Sequence, residues 1–305
     1  MKADGEDRTV LQNLGMVLAW ARNLPLIDRA GLFRAEFVLF EREDKALLSR
    51  FIEERELRFS VHCPLFNPVD PPEHPLLACI MDADVERRKY SLELIRVTME
   101  DGASMGAEYA VVHLQRVSHF SGDDAGAMDS GALLDGLWRS CEKLSAWSEE
   151  LGIDVCVENL FDHSKFHEAR SYEEVFRAFP RLSLCLDIGH LDMDSRIFGV
   201  DFDGFIGELL PYLRAVHLQN SKGGDFREGE KHWKAPVHES QDPSEGWRDV
   251  PAILRDIVGN KPDCIINFEA WPDYYPTIDY MIDGIKWARE VYRRILEGSM
   301  SDGKG

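Results

Sequence analysis

The sequence predicts a single (β/α)8 TIM barrel with parallel strands and long loops at its C-terminal face. Two observations lead there. Eight short β-like runs, at 14–20, 36–41, 58–65, 109–115, 153–159, 183–190, 213–220 and 264–271, alternate with amphipathic helical stretches. That is the pattern of βα units around a parallel sheet. The connections after the third, fourth and seventh runs are long and rich in turn residues: NPVDPPEHP, RVSHFSGDDAGAMDSG and SKGGDFREGEKHWKAPVHESQDPSEG. All three leave the C-terminal ends of strands, the face on which barrel enzymes build their sites. An open doubly wound sheet is the alternative packing of the same units.

Taken in order, the first two runs end in no feature that marks a site. The remaining six end in polar or ionisable groups. The clearest helix is 132–151, where Leu134, Leu137, Trp138, Cys141, Leu144, Trp147 and Leu151 recur at helical spacing. Segments 85–99 and 202–213 are further helices. No Ser/Gly-rich linker or low-complexity block interrupts the chain. One barrel over 9–297 is therefore expected, with disordered tails at 1–8 and 298–305.

Composition sets the class. With 44% hydrophobic and 30% charged residues, the chain can build a sizeable core. Its 55 acidic against 35 basic residues give a net charge of −20, which disfavours nucleic acid and anionic membranes as partners. The start, MKADGEDRTV, has no apolar segment of the signal-peptide kind, and no run approaches the ~18 apolar residues of a membrane span. A cytoplasmic protein is expected. Cys63, Cys79, Cys141, Cys156, Cys185 and Cys264 show no C-x-x-C spacing and sit mostly in apolar segments, so they read as reduced buried thiols.

The chemistry lies at the strand ends. His62 closes the third run, His113 the fourth, Glu158-Asn159 the fifth, Asp187 to His190 the sixth, His217 the seventh and Glu269 the eighth. Side chains alternate along a strand, so Ser60, Val111, Cys156, Cys185, Ala215 and Asn267 should also point inward, as a mostly small layer beneath. Any one of these polar residues alone is more often a hydrogen-bonded core histidine or a solvated strand cap. Together they differ, because several carboxylates and imidazoles desolvated at one place destabilise a fold unless a cation neutralises them. Glu158, Asp187, His217 and Glu269 form a ligand set that suits Mn²⁺, Zn²⁺, Co²⁺ or Fe²⁺ better than Ca²⁺.

The ordered series HCP, VVH, VENL, LDIGH, VHLQNSKGG and FE, spanning about 37–271, resembles the xylose-isomerase-like TIM-barrel superfamily. That group contains sugar and sugar-phosphate isomerases and epimerases, and the endonuclease-IV family acting at abasic DNA sites. The resemblance implies that Glu158, Asp187, His217 and Glu269 bind a divalent metal. It implies that Glu158 and Glu269 also move a proton at the carbon beside a carbonyl, and that His190 contacts a substrate oxygen. On the endonuclease-IV pattern, His62, His113 and Glu158 would bind one zinc, the quartet a second, and His190 with an Asp-x-His pair a third. His238 aligns with the last histidine of that pair, but Pro236 stands at its partner position; Glu230 with His232 is the other alignment. One metal is expected, with two or three left open.

Lys222, in the loop after the seventh run, is a candidate phosphate contact. Trp271, Tyr274 and Tyr275 are either a wall for a sugar ring or plain packing. His74, His119, His163 and His167 lie in loops and receive no role. The resulting expectation is a metal-dependent isomerase or epimerase of a small sugar, keto-polyol or sugar phosphate, acting through an enediolate. A phosphodiesterase at abasic sites and a metal-binding barrel of other activity are the alternatives. Homo-oligomerisation is left open.

Overall fold

The computed structural model describes residues 10–71, 73–82, 84–115, 130–164, 166–223, 234–269 and 277–298. The expected tails at both ends lie outside these, except for Gly298. Nine parallel strands occur among the described residues: β1 (Leu14–Ala19), β2 (Arg34–Val38), β3 (Arg58–His62), β4 (Cys79–Met81), β5 (Tyr109–Gln115), β6 (Asp154–Glu158), β7 (Leu182–Asp187), β8 (Leu213–Leu218) and β9 (Ile265–Phe268). Eight of them close a barrel. β1 pairs with both β2 and β9, and β3 pairs with both β2 and β5.

A ninth, short strand accompanies the expected eight. β4 lies in the long connection after β3 and pairs with the upper half of β5, Cys79 opposite His113 and Met81 opposite Gln115. β3 pairs only with the lower half of β5, at Val61 and His62. Pro64 follows and has no N–H to continue the ladder. β4 thus completes the wall where β3 stops. The second strand also differs from expectation, running over Arg34–Val38 rather than from residue 36 to 41.

The helices are α1 (Leu26–Ala30), α2 (Lys45–Arg55), α3 (Val85–Met105), α4 (Ser130–Leu151), α5 (Ala169–Ala178), α6 (Ile188–Phe198), α7 (Phe202–Leu209), α8 (Val250–Asn260) and α9 (Ile278–Leu296). Their ends follow local chemistry. The Asp84 carboxylate accepts the backbone N–H groups of Glu86 and Arg87 and starts α3. Gly106, at φ +88°, ends it six residues later than the periodicity suggested. α7 stops at Leu209, because Pro211 sits in a short 3-10 turn before β8. No helix among the described residues is long and apolar enough to cross a membrane.

Two cores result. The larger fills the space between strands and helices. The smaller lies inside the barrel and consists of Tyr109, Val111, Cys156, Cys185, Ala215 and Ile265. Strand parity therefore holds for Val111, Cys156, Cys185 and Ala215, while Ser60 and Asn267 face the polar side of the same interior. All six cysteines are buried and free. Gly15 on β1 is tightly enclosed by the barrel interior. A Cβ there would stand 2.8 Å from Cγ of Arg34 and against Oδ1 of Asn267. Gly15→Val should therefore lower stability by about 1–3 kcal/mol, the usual cost of overpacking, read from denaturant unfolding. An unchanged midpoint would show that Arg34 can move aside.

Candidate metal centre

The polar strand ends converge at the C-terminal mouth of the barrel. Glu158 ends β6, Asp187 ends β7, His217 is near the end of β8, and Glu269 follows β9. One ligand atom from each lies within 4.8 Å of the others, and all four residues are buried. A second group, His62, His113 and Glu158, meets the same spacing. Glu158 is shared. Its Oε2 lies 3.0 Å from Nε2 of His62 and 3.5 Å from Nε2 of His113. Its Oε1 lies 3.3 Å from Nδ1 of His190 and 3.6 Å from Nδ1 of His217.

Burial works against the Glu158 carboxylate, but His217, His190 and His62 outweigh it and hold the group well below the usual carboxylate range. Glu269 behaves alike: burial opposes its charge, yet Lys234 and His217 keep it well below that range. Burial pushes Asp187 up to about 6 despite His190 and Lys234. The histidines divide. Burial drives His113 down to about 3, so its ring is neutral and able to donate a lone pair. His62 faces acceptors with both nitrogens, the Cys63 carbonyl at Nδ1 and Glu158 at Nε2. Burial alone would lower its pKa, but Glu158 and Glu36 raise it.

Two residues fix the histidines that sequence patterns alone leave undirected. Nε2 of His217 donates to Oε1 of Glu36 at 2.7 Å. That bond turns Nδ1 toward Glu269 Oε2, 3.3 Å away, and Nδ1 is buried with no hydrogen-bond partner of its own. A carboxylate behind a histidine, with the other ring nitrogen aimed at acids, is the arrangement that orients a metal-binding imidazole. Glu36 is wholly buried and also accepts from Oγ of Ser60 and Nδ2 of Asn267, each at 3.0 Å. His190 is held differently, its Nδ1 donating to the Asn159 carbonyl at 2.9 Å.

Asp187 has two duties. Its Oδ1 accepts the backbone N–H of His190 at 2.7 Å and so caps α6. Gln219 Nε2 donates to both its oxygens, at 2.8 and 2.7 Å. Asn159 accepts the Asp187 backbone N–H at 2.8 Å and returns a bond to its carbonyl. These contacts leave the carboxylate little rotational freedom. Three carboxylates and one imidazole, desolvated together and oriented by neighbours, fit a divalent cation.

Other expected site residues lie elsewhere. His238 does not join the cluster: its ring stacks on Tyr280 of α9 at 3.9 Å and its Nδ1 meets Oγ of Ser240 at 2.9 Å. Lys222 rests over the ring of Trp247 at 5.2 Å. His119, Glu230, His232, Trp271, Tyr274 and Tyr275 lie outside the described residues. Sequence reasoning missed Glu36 and Lys234. Lys234 reaches Glu269, with Nζ 3.1 Å from Oε1, and its side chain is 14% exposed. The signal for Glu36 was present: an acid between apolar neighbours in a strand whose every residue is buried. Lys234 sits in a loop with no periodicity to expose it.

Solved structures of known proteins share this architecture. A D-tagatose 3-epimerase-like protein is 16% identical with a TM-score of 0.71, covering 94% of this chain and 99% of its own. The 3-keto-D-glucoside 4-epimerase YcjR of E. coli is 13% identical with a TM-score of 0.68, covering 91% of this chain and 99% of its own. In sequence, an uncharacterized protein of Methanocaldococcus jannaschii is 24% identical over 169 residues, or 55% of this chain, and the chain spans 58% of that relative's length. The strand-end acids and histidines, the closed parallel barrel and a family-model match over residues 27–291 together show that this chain belongs to the xylose isomerase-like TIM-barrel family.

Proposed function

We propose that this chain is a divalent-metal-dependent isomerase or epimerase of a small sugar, keto-polyol or sugar phosphate. The observation that carries the reading is the buried quartet Glu158, Asp187, His217 and Glu269 at the barrel mouth. These four would hold the cation, which when bound supplies Lewis-acid polarisation of a carbonyl oxygen. Glu158 and Glu269 are the proton-moving pair. One removes the proton from the carbon beside the carbonyl and the other returns it. Both carboxylates are held below the usual carboxylate range, Glu158 by His217, His190 and His62 and Glu269 by Lys234 and His217, so both are ionised. Gln219 and Asn159 keep Asp187 in place, and Glu36 keeps His217 in place. The shared architecture with solved sugar epimerases supports the same class.

The phosphodiesterase reading draws on His62 and His113, which share Glu158 with the quartet. Against it stand Pro236 at the position where a third metal needs an acid, and His238 stacked on Tyr280. Incubation with a panel of ketoses in D₂O should exchange a carbon-bound proton, and elemental analysis should find about one tightly held divalent ion per chain. No exchange across the panel, with two or three zinc ions per chain, would transfer the site to the hydrolase class.

A further inference from the structure

We propose that Lys234 is a second electrophile of this site, whose ammonium contacts a substrate oxygen beside the carbon that exchanges its proton. The inference rests on the isomerase reading above. It starts from charge. Glu158, Asp187 and Glu269 are three buried acids around one candidate cation position. Lys234 places an ammonium beside them, in contact with Glu269.

Geometry separates the two cationic positions. Oε2 of Glu269 faces Nδ1 of His217, on the ligand side, at 3.3 Å. Oε1 of the same carboxylate faces Nζ of Lys234 at 3.1 Å. The lysine therefore stands beside the glutamate's other oxygen. It is also fixed in place. Asn220 and Ala235 exchange both backbone bonds, at 2.7 and 2.9 Å, and so clamp the residue next to Lys234 onto the extension of β8. Gln241 ties Pro236 and Asn220 into the same clasp. A charged group whose neighbour in the chain is clamped in this way loses less freedom when it meets a ligand.

The substrate class follows. An α-hydroxy ketone or aldehyde gives an enediolate with two adjacent oxygens, so two electrophiles have separate targets. As the C–H bond breaks, the proton goes to one glutamate, the electron pair forms the C=C bond, and the former carbonyl oxygen takes the negative charge. Lys234 donates a hydrogen bond to an oxygen of this anion and transfers no proton. Protonation of carbon by the other glutamate restores the carbonyl.

Lys234→Met in the Mn²⁺-loaded protein tests this. Removing one aimed donor should lower kcat by about 10²–10³-fold with little change in KM. Metal affinity, read by chelator competition, should hold or tighten, because an ammonium beside the ligands repels a cation. Ethylammonium in solution should restore part of the activity to Lys234→Ala. Turnover by Lys234→Met within about threefold of wild type overturns the role. Weakened metal binding with a lowered melting temperature also overturns it, since that is the signature of a structural strut. Wild-type protein that exchanges no proton from any ketose overturns the isomerase reading and this role with it. Equal exchange by wild type and Lys234→Met overturns the lysine alone.

Discussion

Replacing Glu158 by glutamine is expected to lower turnover by about 10³-fold or more while the barrel stays folded, combining loss of a proton-transfer group with loss of a charge. The shape of the side chain is kept, so the interior is not emptied. The charge is not kept, and Glu158 is the hub of the site: His62, His113, His190 and His217 all approach its two oxygens within 3.6 Å. An amide there can neither accept a substrate proton nor offset the imidazoles. Circular dichroism should stay near wild type, because the amide fills the volume of the carboxylate. Near-normal turnover in the variant would remove Glu158 from the mechanism.

Glu36→Gln is expected to weaken metal binding by about 10–100-fold, the range seen when a group supporting a ligand histidine is altered. Glu36 accepts from His217, Ser60 and Asn267 and is shut off from solvent. Glutamine can accept from His217 with its oxygen, but its amide then meets the donors of Ser60 and Asn267. Glu36→Leu goes further, removing the acceptor of His217 and Ser60 and leaving Asn267 only its bond to the Tyr109 hydroxyl, and should cost about 3–5 kcal/mol of stability, as breaking a buried charged network does. Chelator competition measures the first effect and denaturant unfolding the second. Unchanged metal affinity in Glu36→Gln would mean that His217 needs no support from behind.

The convergence of the four strand-end residues was legible because barrel strands place their C-terminal ends together, whatever their separation in the chain. A change from apolar residues to Glu, Asp or His at a strand end is visible locally, at Glu158, Asp187, His217 and Glu269. Strand alternation also revealed the small interior layer of Val111, Cys156, Cys185 and Ala215. The second strand was harder. Arg34 and Glu36 alternate with Ala35 and Phe37, a pattern that in an open sheet denotes a solvent face. In a closed barrel the alternate face is the interior. β4 is only three residues long, too short for any periodicity to register.

His238 was less legible. The family resemblance aligned it with the last histidine of a third metal site, and in the structure its ring packs on Tyr280, contributed by the last helix. That contact depends on how the loop returns to α9, which spacing within the loop does not encode.

By itself the sequence determined the architecture, the strand ends that carry acids and imidazoles, and the parity of the layer beneath them. These follow from local period and local polarity, which every residue displays in its own neighbourhood. The tertiary structure alone decided what each group faces. Glu36 meets His217 across 181 positions and Lys234 meets Glu269 across 35. Those encounters are set by barrel closure and by the path of one returning loop. The free energy of such a contact is shared among distant partners, so neither partner's surroundings in the chain reveal it.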